Sequence, residues 1–426
     1  MPMETTDTLV VGAGQAGIAA SEHLRAHGVP HLVLEKNRTA EAWRSGRWDN
    51  LVTNGPVWHD RFPNLLFQGD DPDAFVSKDR VATYLQDYAQ MIDAPIREGV
   101  AVYRAERILG GGGFHVHTSA GDIHAKRIIA ATGAFQHPVI PPIVPETADV
   151  AQMHSFAYKN PDQLAPGAVM VVGAGSSGAQ IADELNRAGR KVFLSVGPHD
   201  RPPRRYRGRD FVWWLGVLGL WDLAAQAPGT EHVTIAVSGA YGGHTMDFRR
   251  LAHEGVTLTG LTAGFENGTL RFADDLARNV AAGDQNYLQM LDLADAYVTR
   301  TGLDLPTEPE ARQMLDDPAC LTDPLSQLDL AAHDVSTIIW ATGFRQDFSW
   351  IKADDAFDAK GAPIHQRGVS CEPDLYFLGL PWQSRRGSTF LWGVWHDAKF
   401  VADQIAIQRA YADYQGPAQI LDTAAE

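Results

Sequence analysis

The sequence predicts an α/β protein of two Rossmann-like, dinucleotide-binding domains, with the second domain inserted into the first. Two observations predict this architecture. A pattern of strand, glycine turn, helix and strand occurs at 8–35 and again at 168–195. Each copy is followed by a later apolar strand that ends in Ala-Thr-Gly. Such internal repetition indicates duplicated structural units. We expect a first domain over 1–145 and 336–426, and a second over 146–335 that carries a helical, aromatic-rich insertion.

The first glycine turn has the spacing that a dinucleotide requires. Gly12 permits the tight turn out of the apolar strand, Gly14 lets the backbone approach a pyrophosphate, and Gly17 lets the helix pack closely on the strand. The next strand ends at Glu35, whose carboxylate would accept hydrogen bonds from ribose hydroxyls and repel a 2′-phosphate. The expected cofactor contacts of this turn therefore include Gly12, Gly14, Gln15, Ala16, Gly17, Glu35 and the adjacent Lys36.

The second glycine turn repeats the glycines but not the acid. Its corresponding strand ends at Ser195, and five arginines follow, at 201, 204, 205, 207 and 209. Loss of a carboxylate together with gain of guanidinium groups favours a ribose 2′-phosphate, and hence NADPH over NADH. We expect contacts from Gly173, Gly175, Ser176, Ser177, Gly178, Ser195, Arg204 and Arg205. The two turns together predict FAD in the first domain and NADPH in the second, because a flavin stays bound while a nicotinamide delivers hydride and leaves.

Composition excludes several other classes. The chain has 426 residues and a net charge of −16, which disfavours binding to a nucleic-acid backbone. Its two cysteines, Cys320 and Cys371, exclude a disulfide framework, a Cys-rich zinc site and a Cys-x-x-Cys pair, and no metal is expected. No apolar run approaches the ~20 residues that span a membrane. The N-terminal residues lack an apolar signal segment, so we expect a cytoplasmic protein.

Several motifs resemble the class B flavin-dependent monooxygenases, the family that includes flavin-containing, YUCCA-type and Baeyer–Villiger monooxygenases. The resemblance lies in GAGQAG at 12–17, GAGSSG at 173–178, the two ATG motifs and the Trp-containing stretch at 41–51. It covers most of the chain and is weakest at 213–330. The family's linker signature is matched by His154 and Tyr158, but Ala148 and Val150 replace its Phe and Gly. That departure weakens the Baeyer–Villiger assignment most.

The resemblance implies a reaction and candidate residues for it. NADPH would reduce FAD, and a C4a-(hydro)peroxyflavin formed with dioxygen would insert one oxygen atom into a small N-, S- or carbonyl-centred substrate. By analogy with flavin-containing monooxygenases, Asn54 is the expected catalytic hydrogen-bond donor, and Trp58 and His59 are expected to line the substrate pocket. An Asn-Gly-Pro turn and a His59–Asp60 ion pair are the ordinary structural alternatives.

The same resemblance adds further cofactor contacts. It implies a flavin loop at Trp43 and Arg44 and an adenine contact at Val102. It also implies that the C-terminal helix begins beneath the flavin, at Leu391 and Trp392. The two Ala-Thr-Gly motifs complete the expected cofactor contacts: Ala131, Thr132, Gly133, Ala341, Thr342 and Gly343.

Two other function classes remain open at this stage. An NAD(P)H-dependent flavin reductase that transfers hydride without oxygen insertion needs no cysteine pair, and a non-catalytic nucleotide-binding module is the third class. The aromatic stretch at 211–221 is compatible with a pocket cover, a dimer contact, a membrane-surface contact or ordinary burial. The expected partners are a small-molecule substrate and dioxygen, and the family makes a homodimer an open expectation.

Overall fold

The chain forms two compact units, each assembled from separate segments of the sequence. The computed structural model describes residues 3–108, 110, 112–224 and 234–414. The first unit comprises Met1–Glu41, Thr83–Ala134 and Gln346–Glu426, and the second comprises Ala42–Ala82 and Phe135–Arg345. The second unit therefore includes three segments that the sequence assigned to the first domain: 42–82, 135–145 and 336–345.

The first unit is built around a mixed sheet. Glu4–Val11 lies between Gly121–Ala130 and His31–Leu34 and is parallel to both. Leu9 and Val10 are fully buried, as expected for a parallel strand that is covered on both faces. In spatial order the main path of the sheet is Ile351–Lys352, Val102–Arg107, Phe114–Thr118, Gly121–Ala130, Glu4–Val11, His31–Leu34 and Ile96–Arg97. A branch leaves Gly121–Ala130 through Leu375–Phe377, Val369–Ser370 and His365–Gln366.

Two helices of the first unit flank the predicted turn. Gln15–Ala26 follows the glycine turn, and Leu391–Asp413 packs against it. The first helix ends at Gly28, which has a φ of +63°. Beyond it, the Val29 N–H donates to the Leu24 carbonyl at 2.9 Å. Gly28 suits this position just past the helix, because glycine adopts a left-handed conformation at little energetic cost.

The second unit contains a five-stranded sheet in which every pair is parallel. Its central strand, Ala168–Val172, is buried at all five positions. The spatial order is Thr257–Thr259, Val192–Ser195, Ala168–Val172, Val335–Trp340 and Ala151–His154. Because Val335–Trp340 pairs inside this sheet, the second unit extends past residue 335. The Ala-Thr-Gly motif that follows that strand consequently belongs to the second unit.

The remaining elements of the second unit surround this sheet. Helix Ser176–Arg187 follows the second glycine turn and ends at Gly189, whose φ is +78°. The other helices are Phe211–Val217, Phe248–His253, Leu276–Thr301 and Ala319–Thr322. The antiparallel strands are Thr262–Glu266, Thr269–Phe272 and Gln327–Asp329, and two further pairs join Arg205–Tyr206 to Arg209–Asp210 and His137–Pro138 to Phe344–Arg345. The chain passes between the units within helices Glu41–Arg44 and Lys78–Met91.

The predicted fold class is confirmed. Both units contain a buried parallel strand, a glycine turn and a following helix, as the duplicated pattern required. Within the described residues, no helix is long and apolar enough to cross a membrane.

Candidate functional site

The first glycine turn is closed by backbone contacts that only glycine permits. Gly12 has a φ of +110°, and a Cβ there would lie 2.5 Å from the Ala131 carbonyl oxygen. A Cβ at Gly17 would lie 1.8 Å from the Gly12 carbonyl oxygen. At Gly14, by contrast, a Cβ would meet no atom of the protein within 4 Å. The turn is thus tight where the chain crosses itself and open in front of Gly14, as a pyrophosphate requires.

The acid of the first unit is held by the same turn. Glu35 Oε2 accepts a hydrogen bond from the Ala13 N–H, and Oε1 accepts one from the Asn37 N–H, both at 2.9 Å. Two backbone donors therefore orient the carboxylate beside the turn, in the position expected of a ribose acceptor. Lys36 is exposed. Gln15, at the start of the helix, donates from Nε2 to the Thr389 carbonyl oxygen at 3.0 Å. This bond ties the turn to the residues just before helix Leu391–Asp413.

The second glycine turn has the same close backbone contacts as the first. Gly173 has a φ of +112°, a Cβ there would lie 2.6 Å from the Ala341 carbonyl oxygen, and a Cβ at Gly178 would lie 1.8 Å from the Gly173 carbonyl oxygen. The Ala341 N–H donates to Val172 at 2.8 Å, just as Ala131 donates to Val11 at 2.9 Å. Each Ala-Thr-Gly motif therefore begins by closing the glycine turn of its own unit.

The start of the second helix is anchored to a neighbouring segment. The Ser176 hydroxyl donates to the Ile235 carbonyl oxygen at 2.8 Å and accepts a bond from the Val237 N–H at 3.4 Å. Gly175 leaves ordinary van der Waals room, since a Cβ there would first meet Thr234 Cγ2 at 3.4 Å. Ser177 is half-buried in the first turn of the helix. The N–H groups of a helix's first turn lack partners within the helix and suit a phosphate.

Ser195 does not offer its side chain to a nucleotide. The residue is 1% exposed. Its hydroxyl donates to the Gly260 carbonyl oxygen at 2.9 Å and accepts from the Thr262 N–H at 3.0 Å. The hydroxyl fastens the strand to the following segment, and the expected contact between Ser195 and the nucleotide, for which the sequence specified no atom, stays a prediction.

Arg204 differs from the sequence prediction, because it is a buried structural residue. It is 4% exposed, its guanidinium forms an ion pair with Asp210, and it lies 4.7 Å from the ring centroid of Phe211. Burial is the main reason that the pKa of Arg204 lies below its usual range. Arg205 is exposed and donates to the carbonyl oxygens of Gly243 and Gly242. Of the two arginines predicted to bind a 2′-phosphate, only Arg205 faces solvent.

The other three arginines of this segment make contacts within the second unit. Arg201 is 3% exposed and pairs with Asp284 at 2.8 Å and Asp247 at 3.3 Å. Arg207 pairs with Asp295 at 2.6 Å. Arg209 is exposed, with its guanidinium carbon 5.6 Å from the ring centroid of Trp213. The run of arginines therefore has largely structural roles, and its charge alone overstates the basic surface available to a phosphate.

Asn54 lies in a segment that is fixed on both sides. The Thr53 N–H donates to the Val76 carbonyl oxygen at 2.9 Å. In return, the Val76 N–H donates to the Thr53 hydroxyl at 3.2 Å. The Asn54 carbonyl oxygen accepts from Arg204 Nη1 at 2.7 Å. The next residue, Gly55, donates its N–H to Asp60 Oδ2 at 3.1 Å. Asn54 is itself only partly buried. The ordinary turn expected of Asn-Gly-Pro is thus locked by side chains from elsewhere in the second unit.

The Asn54 side-chain amide is hydrogen-bonded through its oxygen. Its Oδ1 accepts a hydrogen bond from Gln180 Nε2 at 2.9 Å. Within the described ranges of the chain, its Nδ2 group donates to no other residue. The amide nitrogen is therefore the end that remains able to donate to a ligand.

The predicted substrate residues are part of an aromatic cluster. His59 is 7% exposed, its Nδ1 lies 2.9 Å from Asp60 Oδ1, and its ring stacks on Trp221 with centroids 5.1 Å apart. Trp58 contacts the His59 ring edge-on at 5.4 Å and is half-buried. This contact between His59 and Asp60 is the one that the sequence raised as the structural alternative to a substrate contact. Trp221 itself donates from Nε1 to Val212 at 3.2 Å, so the aromatic stretch packs largely into the second unit.

The remaining sequence-predicted contacts are placed as follows. Val102 begins a strand and pairs with Thr118. Thr132 is half-buried, and Gly133 and Gly343 have φ values of +80° and +84°. Thr342 donates its hydroxyl to Val139 at 2.5 Å. Trp43 and Arg44 are half-buried in the short helix before Gly46, while Leu391 is buried and Trp392 half-buried at the start of the C-terminal helix.

Sequence reasoning missed one residue of this region, Gln180, and the hydrogen-bond partner of another, His154. Gln180 is 8% exposed on helix Ser176–Arg187, and no motif marks it. The Nε2 of His154 lies 2.9 Å from the Gly343 carbonyl oxygen, and its Nδ1 accepts from the Phe156 N–H. The signature spacing identified His154 but not its partner. Burial lowers the pKa of His154, which agrees with a neutral ring bonded at both nitrogens.

Comparisons with known proteins agree with this geometry. The family model described as pyridine nucleotide-disulphide oxidoreductase matches residues 9–207. A CzcO-like oxidoreductase from Geobacillus kaustophilus is 34% identical over 405 residues, covering 94% of this chain and 98% of that protein. The rice indole-3-pyruvate monooxygenase YUCCA1 is 34% identical over 192 residues, covering 44% of this chain and 47% of that protein.

A solved structure has a similar fold. The flavin-containing monooxygenase from Stenotrophomonas maltophilia has a TM-score of 0.65 at 21% identity, covering 96% of this chain and 100% of that chain. The full-length similarity to the CzcO-like protein establishes the family, and the partial similarity to YUCCA1 agrees with the motifs of the two turns. The chain therefore belongs to the CzcO-like oxidoreductases.

Proposed function

We propose that the protein is an NADPH-dependent FAD monooxygenase that inserts one oxygen atom into a small organic substrate, N-, S- or carbonyl-centred. When bound, a flavin would supply the redox chemistry for a reaction in which NADPH and dioxygen are consumed, one oxygen atom enters the substrate and the other leaves as water. The chain's own residues bind the two nucleotides and supply the hydrogen bond that this oxygen requires.

The two glycine turns support the nucleotide assignment. In the first, the open space at Gly14 and the oriented Glu35 fit FAD, whose adenosine ribose carries free hydroxyls. In the second, no acid ends the strand at Ser195, and exposed Arg205 is the proposed 2′-phosphate contact. We keep NADPH on that basis, with Arg205 in place of the buried Arg204.

The observation that carries the oxygen-transfer part of the proposal is the fixed amide of Asn54. Its carbonyl oxygen is bonded to Arg204 and its Oδ1 to Gln180, which leaves Nδ2 as the donor. A preorganised donor costs no reorganisation at the moment when negative charge develops on an oxygen. Asn54 is therefore the proposed catalytic residue, and Trp58 remains the proposed substrate contact because its side chain is only half-buried.

Purification and steady-state turnover test the proposal. We expect a yellow protein that releases FAD on denaturation and oxidises NADPH with a lower KM than NADH. A panel of a sulfide, an amine, a ketone and a 2-oxo acid should include a compound that raises NADPH oxidation with matching oxygen uptake. If every compound leaves hydrogen peroxide equal to NADPH consumed, a hydride-transfer reductase is the better assignment.

An Asn54→Ala variant separates the two assignments further. We expect it to bind FAD and accept hydride as the parent does, and to release most of its electrons as hydrogen peroxide. Loss of one preorganised donor typically costs on the order of 10²–10³ in rate. Unchanged coupling in this variant would remove Asn54 from the mechanism.

A further inference from the structure

Gln180 lies between a backbone carbonyl and the proposed catalytic amide. Its Nε2 donates both to the Val237 carbonyl oxygen and to Asn54 Oδ1. Gln180 is 8% exposed and sits one turn after Ser176 on the helix that follows the second glycine turn. Both hydrogens of its amide therefore have acceptors inside the second unit.

These two bonds fix which way each amide faces. A backbone carbonyl only accepts hydrogen bonds, so the group that Gln180 presents to Val237 must be its NH2. The same NH2 meets Asn54, which must then present its oxygen. An amide has one oxygen and one nitrogen, so the Asn54 NH2 is turned away from Gln180 and stays able to donate to a ligand.

The carbonyl at the start of this chain of bonds is itself held in place. The Val237 N–H donates to the Ser176 hydroxyl, and that hydroxyl donates to Ile235. One residue earlier, the Ala236 N–H donates to Asp200 at 2.9 Å. Because these bonds fasten 235–237 to the first turn of the helix, the orientation of Gln180 follows from backbone geometry.

We infer that Gln180 is a positioning residue: it orients the Asn54 amide so that Nδ2, and not Oδ1, faces the reacting oxygen. The inference rests on the proposed function of Asn54. Gln180 lies on helix Ser176–Arg187, and the N-terminus of that helix is the proposed site for an NADPH phosphate.

Two substitutions test this role. Gln180→Glu keeps the size of the side chain, but its carboxylate can only accept hydrogen bonds, so the Asn54 NH2 should rotate inward to donate to it. Gln180→Met keeps the length and removes both bonds. Asn186→Ala, at the half-buried end of the same helix, is the matched control, since the Asn186 side chain donates to the Glu254 carbonyl oxygen and, within the described residues, to no part of the Asn54 site.

The first readout does not depend on turnover. In protein labelled with ¹⁵N-asparagine, the side-chain NH2 signals of Asn54 are assigned by their loss in an Asn54→Ser variant. We expect these signals to shift in Gln180→Glu and Gln180→Met and to stay in place in Asn186→Ala. Unshifted Asn54 signals in both Gln180 variants would overturn the inference.

The second readout is the flavin spectrum after anaerobic NADPH reduction and mixing with oxygen. We expect the transient band that precedes the oxidised flavin to decay roughly tenfold faster in both Gln180 variants, with the rate of flavin reduction changed less than about twofold. A lifetime equal to that of the parent protein would refute the positioning role. If the parent protein itself forms no such band, the proposed function fails, while the NMR signals still decide whether Gln180 orients Asn54.

Discussion

Within each glycine turn, neighbouring glycines serve different purposes. At Gly17 the missing side chain allows the helix to touch the backbone of Gly12, since a Cβ would lie 1.8 Å from that carbonyl oxygen. A Cβ at Gly14 would meet no atom of the described residues within 4 Å, and the Gly14 φ of −82° is one that any residue adopts. The fold therefore explains Gly17, whereas a ligand is needed to explain Gly14.

Substitution at these two positions should separate folding from flavin binding. We expect Gly17→Ala to lower the free energy of unfolding by about 3 kcal/mol, because the helix must move off the strand. Gly14→Ala should change it by less than about 1 kcal/mol and should weaken FAD binding roughly tenfold or more, about 1.4 kcal/mol of binding energy. Thermal denaturation of the apoprotein and the ratio of flavin to protein absorbance measure the two effects.

Gly216→Ala is the control for an open glycine in a helix. A Cβ there also meets no atom within 4 Å, and the residue lies in helix Phe211–Val217. We expect unchanged flavin content in this variant. Full flavin content in Gly14→Ala as well would mean that no phosphate approaches the first turn.

At the scale of elements, the segment from Arg201 to Asp210 shows how a basic run divides its roles. Arg204 is buried against Asp210 and supports the Asn54 carbonyl oxygen, whereas Arg205 extends from the neighbouring position into solvent. The strand begins at Arg205, and along it exposed Arg205 alternates with buried Tyr206, since successive side chains of a strand point to opposite faces.

Replacing each arginine by methionine should therefore have opposite consequences. Arg204→Met leaves Asp210 buried without its cation, and we expect a loss of about 3–5 kcal/mol in the free energy of unfolding. Arg205→Met should change stability by less than about 0.5 kcal/mol and should raise the KM for NADPH while leaving that for NADH in place. Denaturant titration and paired steady-state kinetics give the two quantities. An equal change in both KM values would show that Arg205 does not read the 2′-phosphate.

At the scale of the whole molecule, the sequence predicted most of the fold and part of the site. The two glycine turns and the helices that follow them come from local rules of backbone geometry, and the structure confirms them. The roles that the sequence did not predict depend on tertiary partners. Burial of Arg204 needs Asp210 and Phe211, and the hydroxyl of Ser195 is taken by Gly260.

The unit boundaries and Gln180 could not be read from the sequence for a related reason. Residues 42–82 carry no pattern that assigns them to either sheet, and Val335–Trp340 joins the second sheet only through strand pairing distant in sequence. Gln180 belongs to no motif, because its role depends on hydrogen bonds to the Val237 carbonyl oxygen and the Asn54 amide, which are distant in sequence. Sequence periodicity reports which residues are buried, not which polar partners they meet there.

The molecule as a whole should lose stability as the pH falls. Burial lowers the pKa of five histidines, His23, His31, His154, His199 and His365, below the ordinary value of 6.5. The unfolded chain then binds protons that the folded chain does not, so the free energy of unfolding is largest above the unfolded pKa and falls as the pH drops below it. We expect the thermal midpoint to fall between about pH 7.5 and about pH 5.5.

His199 provides a single-site check of that pH dependence. It is 7% exposed, its Nδ1 bonds to Gly197 at 2.9 Å and its ring packs edge-on against Phe248. His199→Gln cannot titrate, so the slope of stability against pH should become shallower, whatever the absolute stability of the variant. A slope identical to the parent's would show that His199 is protonated equally in the folded and unfolded states.

The central claim is that this chain holds a donor in place for oxygen transfer, and rapid mixing tests it most directly. Protein reduced anaerobically with NADPH would be mixed with oxygenated buffer while absorbance spectra are recorded. We expect a transient band, blue-shifted from the oxidised flavin maximum, that outlives mixing, is prolonged by NADP⁺ and is shorter-lived in Asn54→Ala. Direct return of the oxidised flavin spectrum, with hydrogen peroxide released in equal amount, would instead indicate a reductase.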